Sequence, residues 1–382
     1  MNKLIEQRNT YEPIDAFIFN SLMVGGNLEI GKVGLVCLVT VALTVSLWIP
    51  STNHMVDTSV RDQPKLDTTV AYEFHYQISI LGDEAFETLA DVEGWDGDGS
   101  SETPYLIQDY LIAENIGNIW IEDTTVHFKI INCYLHTALT DLTLWNVTNA
   151  VIENCMFKYS TTAVHLFNCT SVNVVNCTIE AVQDGIFIED CINCYIGGST
   201  IVGIASSESG IDGLTNTGLE ICNNTISDWD DHGIQLYQCT GTEINNNTMY
   251  WNEGYGSGAC GINVDECDTL SILGNNITKN ADNGITIDDS PSVSIIQNQI
   301  TDNDEHGVYV SWSDFCTIIG NTIGRNGDGL ISGGPSCGIV INHCQYPQIL
   351  NNTLDSNIYN GISSWNVDHL LISDNLITNS YM

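Results

Sequence analysis

The line LSILGNNITKNADNGITIDDS (270–290) is followed almost at once by VSIIQNQITDNDEHGVYVSWS (293–313), and the two share one frame. Asn275 matches Asn298, Ile277 matches Ile300, Asn280 matches Asn303 and Gly284 matches Gly307, each pair 23 residues apart. The frame extends back to LEICNNTISDWDDHGIQLYQC (219–239) and forward to PQILNNTLDSN (347–357), with Gly361 behind it. Further upstream Asp141, Ala163, Gly185 and Gly210 hold the Gly position. Inside each line Ile and Val alternate with polar residues, the period of a strand. Short strands repeating about every two dozen residues between Asn and Gly turns are the signature of a solenoid. Leucine-rich repeats have a similar period, but they need a Leu-dominated frame and a helical return, and neither is present.

Stacked coils place equivalent residues above one another at ~4.8 Å. One expected column runs Cys133, Cys155, Cys177, Ser199, Asn224, Asn247, Asn275, Asn298, Asn321, Asn352 and Asn375. A second holds Asn252, Asn280, Asn303, Asn326 and Asn357. Side-chain amides stacked in this way can satisfy one another, so both columns read as structure. A third column is rich in small residues, among them Cys169, Cys191, Cys239, Cys267, Ser290, Ser313 and Cys344. It assigns most cysteines to the interior, with disulfides such as Cys169–Cys191 or Cys239–Cys267 within geometric reach. Cys191 and Cys194 have CxxC spacing but no second pair, which argues against a metal site.

The repeats, together with the lead-in GWDGDGSSETPYLIQDYLI (94–112), resemble the right-handed parallel β-helix repeat proteins, the NosD-like and carbohydrate-binding-and-hydrolysis group. The resemblance covers residues 95–382 and implies an all-β, right-handed parallel β-helix of about eleven coils. It implies no single activity, because the group holds lyases, hydrolases, esterases, epimerases and adhesins. Copper handling, which the NosD name suggests, finds no Met-rich or His-rich cluster in this sequence.

Of 382 residues, 48 are Asp or Glu and 9 are Lys or Arg, a formal charge of −39. Beyond residue 70 the basic side chains are Lys129, Lys158, Lys279 and Arg325. So few cations exclude nucleic-acid binding and disfavour polyanions unless a divalent cation bridges the two. Residues 33–49 (VGLVCLVTVALTVSLWI) carry no charge and are long enough to cross a bilayer, with Trp48 suited to the interface. The expected order is a cytoplasmic segment (1–32), a transmembrane anchor (33–49), a linker (50–71), a cap (72–94) and an extracytoplasmic β-helix (95–382). The chain stops partway through a coil, so the open edge is expected to favour self-association.

Insertions before Gly261 (250–260) and Gly338 (324–337) fall at one corner and are expected to wall a trough three coils wide. Its floor carries Asn263, Asp265, Thr286, Asp288, Tyr309 and Ser311, with Glu266, Asp289 and Trp312 one place beyond. Asp265 and Asp288 should be vertical neighbours, which must either share a proton or bind a cation. Asp265, Asp288 and Asp289 are therefore candidates for glycoside hydrolysis or for holding Ca²⁺ through oxygen ligands. A solvated acidic face is the plain alternative. Trp145, Phe167, Phe187, Tyr237, Tyr309, Trp312 and Trp365 are expected on the same outer face, where rings can stack on sugars. Tyr237, Asn263, Tyr309, Trp312 and Trp365 are the candidate glycan-binding residues. Lys279, Asp302 and Arg325 read as a salt-bridge column, and His232 and His306 read as turn residues. The expected function is glycan binding or surface scaffolding, with a polysaccharide or surface glycan as partner. The alternative is a polysaccharide-degrading enzyme, either a glycoside hydrolase or a Ca²⁺-dependent lyase using the trough.

Overall fold

The computed structural model describes residues 71–204, 207–253, 258–327 and 336–380. The expected anchor (33–49) and the segments either side of it lie outside them, as do the central parts of the insertions before Gly261 and Gly338. Among the described residues no helix is long and apolar enough to cross a membrane.

The chain from Tyr105 to Ser380 winds into about eleven turns of parallel β-solenoid. Each regular coil has three short strands. One coil uses Glu243–Asn245, Thr248–Tyr250 and Ile262–Asp265, and the next uses Ser271–Leu273, Asn276–Thr278 and Ile285–Asp288. Equivalent strands pair parallel and in register, Ile244 with Ile272, Met249 with Ile277 and Ile262 with Ile285. The strand that precedes the Asn column builds a 12-stranded sheet. The other two families join into one of 23 strands, because Met156–Phe167 and Thr178–Glu189 run through the corner without a break.

The corners explain the punctuation. Asn246, Trp251, Glu266 and Thr269 are all left-handed, with φ between 51° and 57°, so a single coil turns at four such residues. Asn tolerates this region best of the non-glycine residues, which accounts for its frequency there. Glycine is required elsewhere for a different reason. A Cβ on Gly284 would stand 2.4 Å from Ile300 Cγ2 and 2.7 Å from the carbonyl of Gly307, so only glycine lets successive coils approach.

Inward Ile and Val residues fill a continuous dry core, from Ile107 and Ile130 through Ile277 and Ile300 to Leu354. The amide columns stand as expected. Asn247 donates to Asn275 at 3.1 Å, Asn275 to Asn298 at 2.9 Å and Asn298 to Asn321 at 3.0 Å. In the second column Asn280 donates to Asn303 at 2.8 Å and Asn303 to Asn326 at 3.0 Å. The small-residue column uses Sγ and Oγ as acceptors: the Cys239 N–H reaches Cys267 Sγ at 3.2 Å, and the Cys267 N–H reaches Ser290 Oγ at 2.9 Å. The thirteen cysteines among the described residues are free thiols, so neither Cys169–Cys191 nor Cys239–Cys267 is bonded.

Before the first coil, helix α1 (Asp83–Glu93) packs on the strands Ile78–Leu81 and Gly117–Thr124. It buries Phe86 against Tyr105 and Phe128, with ring centroids at 5.6 and 5.0 Å. In the last coil Ile372 and Ile377 hold inward places yet are 47% and 44% exposed, since no described coil covers them.

Candidate functional site

The Gly-led strands Ile262–Asp265, Ile285–Asp288 and Val308–Ser311 lie side by side, and their register sets the outward side chains in rows. Asn263 pairs with Thr286 and Thr286 with Tyr309, while Asp265 pairs with Asp288 and Asp288 with Ser311. Tyr237 is the neighbour of Asp265 one coil earlier. Burial, then the nearby charge of Asp288, raises the pKa of Asp265. The Asp288 carboxylate accepts the Ser311 hydroxyl. Asp289 sits at the left-handed corner and is exposed. These three carboxylates do not converge as Ca²⁺ ligands, and among the described residues no cluster of three or more His, Cys, Asp or Glu is placed to hold a metal ion.

The cleft on this face lies nearer the insertion corner than the aspartate pair. It has a volume of ≈ 530 Å³ and is lined by Asn263, Thr286 and Tyr309 from the strands. Its other walls come from the residues just ahead of each glycine: Asp231 and His232, Cys260, Asp282 and Asn283, Glu305 and His306. Asp265 and Asp288 are not among its lining. In sequence His232 and His306 read as turn residues, and the structure places both in the cleft wall. The signal that could have found them is the recurrence of D-D-H-G and D-E-H-G at one corner of a stacked repeat.

Each residue ahead of a glycine has a backbone N–H facing the equivalent side chain one coil back. The Cys260 N–H donates to His232 Nδ1 at 3.1 Å, the His306 N–H to Asn283 Oδ1 at 2.9 Å and the Cys337 N–H to His306 Nδ1 at 2.9 Å. A neutral ring that accepts at Nδ1 carries its proton on Nε2. His232 Nε2 therefore donates to Asp231 Oδ1, 3.2 Å away. Burial lowers the pKa of both rings, partly offset by Asp231 for His232 and by Glu305 for His306. His306 lies parallel to the Tyr309 ring, with centroids 5.8 Å apart and planes at 14°.

Asp282 and Glu305 occupy one column in adjacent coils, joined by the Glu305 N–H donating to the Asp282 carbonyl at 3.1 Å. Burial first, then the charge of Glu305 and a hydrogen bond between the two carboxyls, pushes Asp282 up to about 6. Its Oδ1 is buried without a partner. A carboxyl in this state can donate a proton near neutral pH.

The aromatic residues do not form one row. Trp145 and Phe167 touch at 4.2 Å, but Phe187 packs on His165 in the neighbouring column. Trp312 is on the corner, stacked face to face on His343 at 4.0 Å and 12°. Trp365 lies 6.4 Å beyond His343 and is 71% exposed. The rings in this group stack along the solenoid axis, so one face of Trp312 is covered by protein. The expected basic column also separates. Arg325 grips Asp302 with two hydrogen bonds of 2.6 Å, whereas Lys279 lies 5.2 Å over the Trp251 ring.

The family model described as right-handed beta helix region matches residues 209–377, and that of the periplasmic copper-binding protein NosD matches 101–260. Among solved structures the chain is similar to the A-module of a mannuronan C-5 epimerase from Azotobacter vinelandii, at 15% identity and TM-score 0.47, covering 71% of this chain and 89% of that one. It is similar to a periplasmic alginate epimerase at 12% identity and TM-score 0.49, covering 79% and 85%. It is also similar to a DFA-IIIase from Arthrobacter chlorophenolicus at 13% identity and TM-score 0.49, covering 78% and 91%. No curated protein matches the chain. The stacked coils and the two family matches agree on the fold, a right-handed parallel β-helix.

Proposed function

We propose that the chain binds a neutral glycan in the cleft over the coils that begin at Gly233, Gly261, Gly284 and Gly307. The observation that carries this reading is the cleft lining: the amides of Asn263 and Asn283, the hydroxyl of Thr286, the imidazoles of His232 and His306 and the ring of Tyr309. Sugars are held by such planar polar groups next to a ring that packs on their C–H faces. Three carboxylates in the same cleft repel acidic polymers, so a neutral polysaccharide suits it better. Retention on a neutral glycan array tests the proposal. Tyr309→Ala should lose retention and Trp312→Ala should weaken it less, because Trp312 is already covered on one face by His343. Equal retention by wild type and Tyr309→Ala would remove the cleft from the reading.

Degradation of the glycan is the second reading, and the raised pKa of Asp282 favours it. Anchoring by residues 33–49, an extracytoplasmic β-helix and self-association through the last coil belong to the same proposal. Membrane fractionation and light scattering of the full chain test them.

A further inference from the structure

This inference rests on glycan binding in the cleft and concerns what happens to the bound chain. In the column two residues ahead of each glycine, successive coils carry Glu208, Asp231, Ala259, Asp282 and Glu305. The run of carboxylates is broken once, at Ala259, which is buried at 1% exposure and has no side chain beyond Cβ. Asp231 and Asp282 therefore line the cleft side by side, two coils and ~10 Å apart between Cα atoms. Carboxyl groups about 6.5–9.5 Å apart leave room for a water opposite the bond being broken, the spacing of inverting glycoside hydrolysis.

The two sides of the gap differ in kind. Asp231 accepts a hydrogen bond from His232 Nε2, whose Nδ1 is fixed by the Cys260 N–H. That arrangement sets the orientation of the Asp231 carboxylate. Asp282 and Glu305 are instead neighbours in one column, and burial with the charge of Glu305 raises the pKa of Asp282. Apart from Glu305, the titratable groups facing Asp282 are Cys260, His306 and the Asp231–His232 pair.

We propose that Asp282 is the acid and Asp231 the base in hydrolysis of a glycosidic bond lying over Ala259. The Asp282 proton passes to the glycosidic oxygen as its bond to the anomeric carbon breaks. Water attacks that carbon from the opposite face and gives its proton to Asp231. The products are two shorter glycans, the new reducing end having the inverted anomeric configuration. Asp231 then loses its proton to solvent and Asp282 regains one. Glu305 acts through Asp282 and is a positioning residue.

The full chain is incubated with β-glucan, xylan, mannan and dextran, and retention on each polymer is measured in the cold beside reducing-end release. Wild type should release reducing ends from a polymer that retains it, with inverted configuration by proton NMR at early times. Asp282→Asn and Asp231→Asn should each lower kcat/KM by about 100-fold or more while the polymer is still retained. Glu305→Gln removes the neighbouring charge that holds the Asp282 proton, so its alkaline limb should move to lower pH with the plateau largely kept. Retention without reducing ends, wild-type rates in Asp282→Asn or Asp231→Asn, or products of retained configuration would overturn the hydrolysis and leave glycan binding intact. Retention by none of the four polymers would overturn both.

Discussion

Two columns of polar side chains climb the same coils a few residues apart, and they meet opposite fates. Asn252, Asn280, Asn303 and Asn326 are fully or almost fully buried, and each amide donates to the next along the line. Asp231, Asp282 and Glu305 stand in the same stacking geometry but line an open cleft. An amide carries both donor and acceptor, so a pile of amides closes on itself. A carboxylate only accepts, so piled carboxylates must take up protons, find other donors or be kept apart. The column shows all three outcomes. Burial and the charge of Glu305 raise the pKa of Asp282, Asp231 takes a donor from His232, and Ala259 separates them. One repeat geometry gives a rigid spine where the side chain is self-complementary and a reactive cleft where it is not.

The contrast can be broken hardest at the head of the amide column. Trp229 is fully buried, and its N–H donates to Asn252 Oδ1 at 3.2 Å. Trp229→Ala removes the largest side chain of the core at that point and should cost about 3–5 kcal/mol in chemical denaturation. A loss under about 1 kcal/mol would mean that the coils repack freely. Next in size is Asn298→Ala, which strips the acceptor from the Asn275 backbone and side-chain N–H groups and the donor from the Ile272 carbonyl. The expected cost is about 2–3 kcal/mol. Asn298→Asp should cost more at neutral pH and recover on acidification, since it sets a carboxylate into a column of amides.

The smallest effect sharpens the carboxylate side. Asp184 is 7% exposed and holds the place ahead of Gly185, with one carboxyl oxygen buried without a partner. Burial, then the charges of Asp212, Glu208 and Asp231, pushes it from 3.8 to about 7. With the folded pKa above the unfolded one, the folded chain holds a proton that the unfolded chain has already lost. Stability therefore falls as pH rises from about 4 to about 7. Asp184→Asn removes that penalty and should stabilise the protein by about 1–2 kcal/mol at pH 8 and by nothing at pH 3. Thermal unfolding across that range measures it, and an equal shift at both ends would show that ionisation is not involved.

Much of the fold was legible because it rests on periodicity. The match of Asn275, Asn298 and Asn321 in the sequence becomes a chain of hydrogen bonds without any displacement. The pairing of Asp265 with Asp288 was equally readable, as register follows from repeat length. The cleft was less so. A period locates a residue along the axis and within the coil, but which corner opens depends on how the chain enters each turn. The aromatic row failed for a related reason: Phe187, Tyr309 and Trp312 are two, two and five places after their glycines, and one residue's difference moves a ring from sheet to corner.

The sequence alone determined the coil, its period, its amide spines and the scarcity of cations, because each is a property of residue type repeated at fixed spacing. Only the tertiary structure decided that His232 and His306 wall a cleft and that Asp282 meets Glu305. It also decided that Trp312 lies flat on His343. Those outcomes depend on side-chain direction and on what a neighbouring coil leaves uncovered, and a one-dimensional repeat fixes neither.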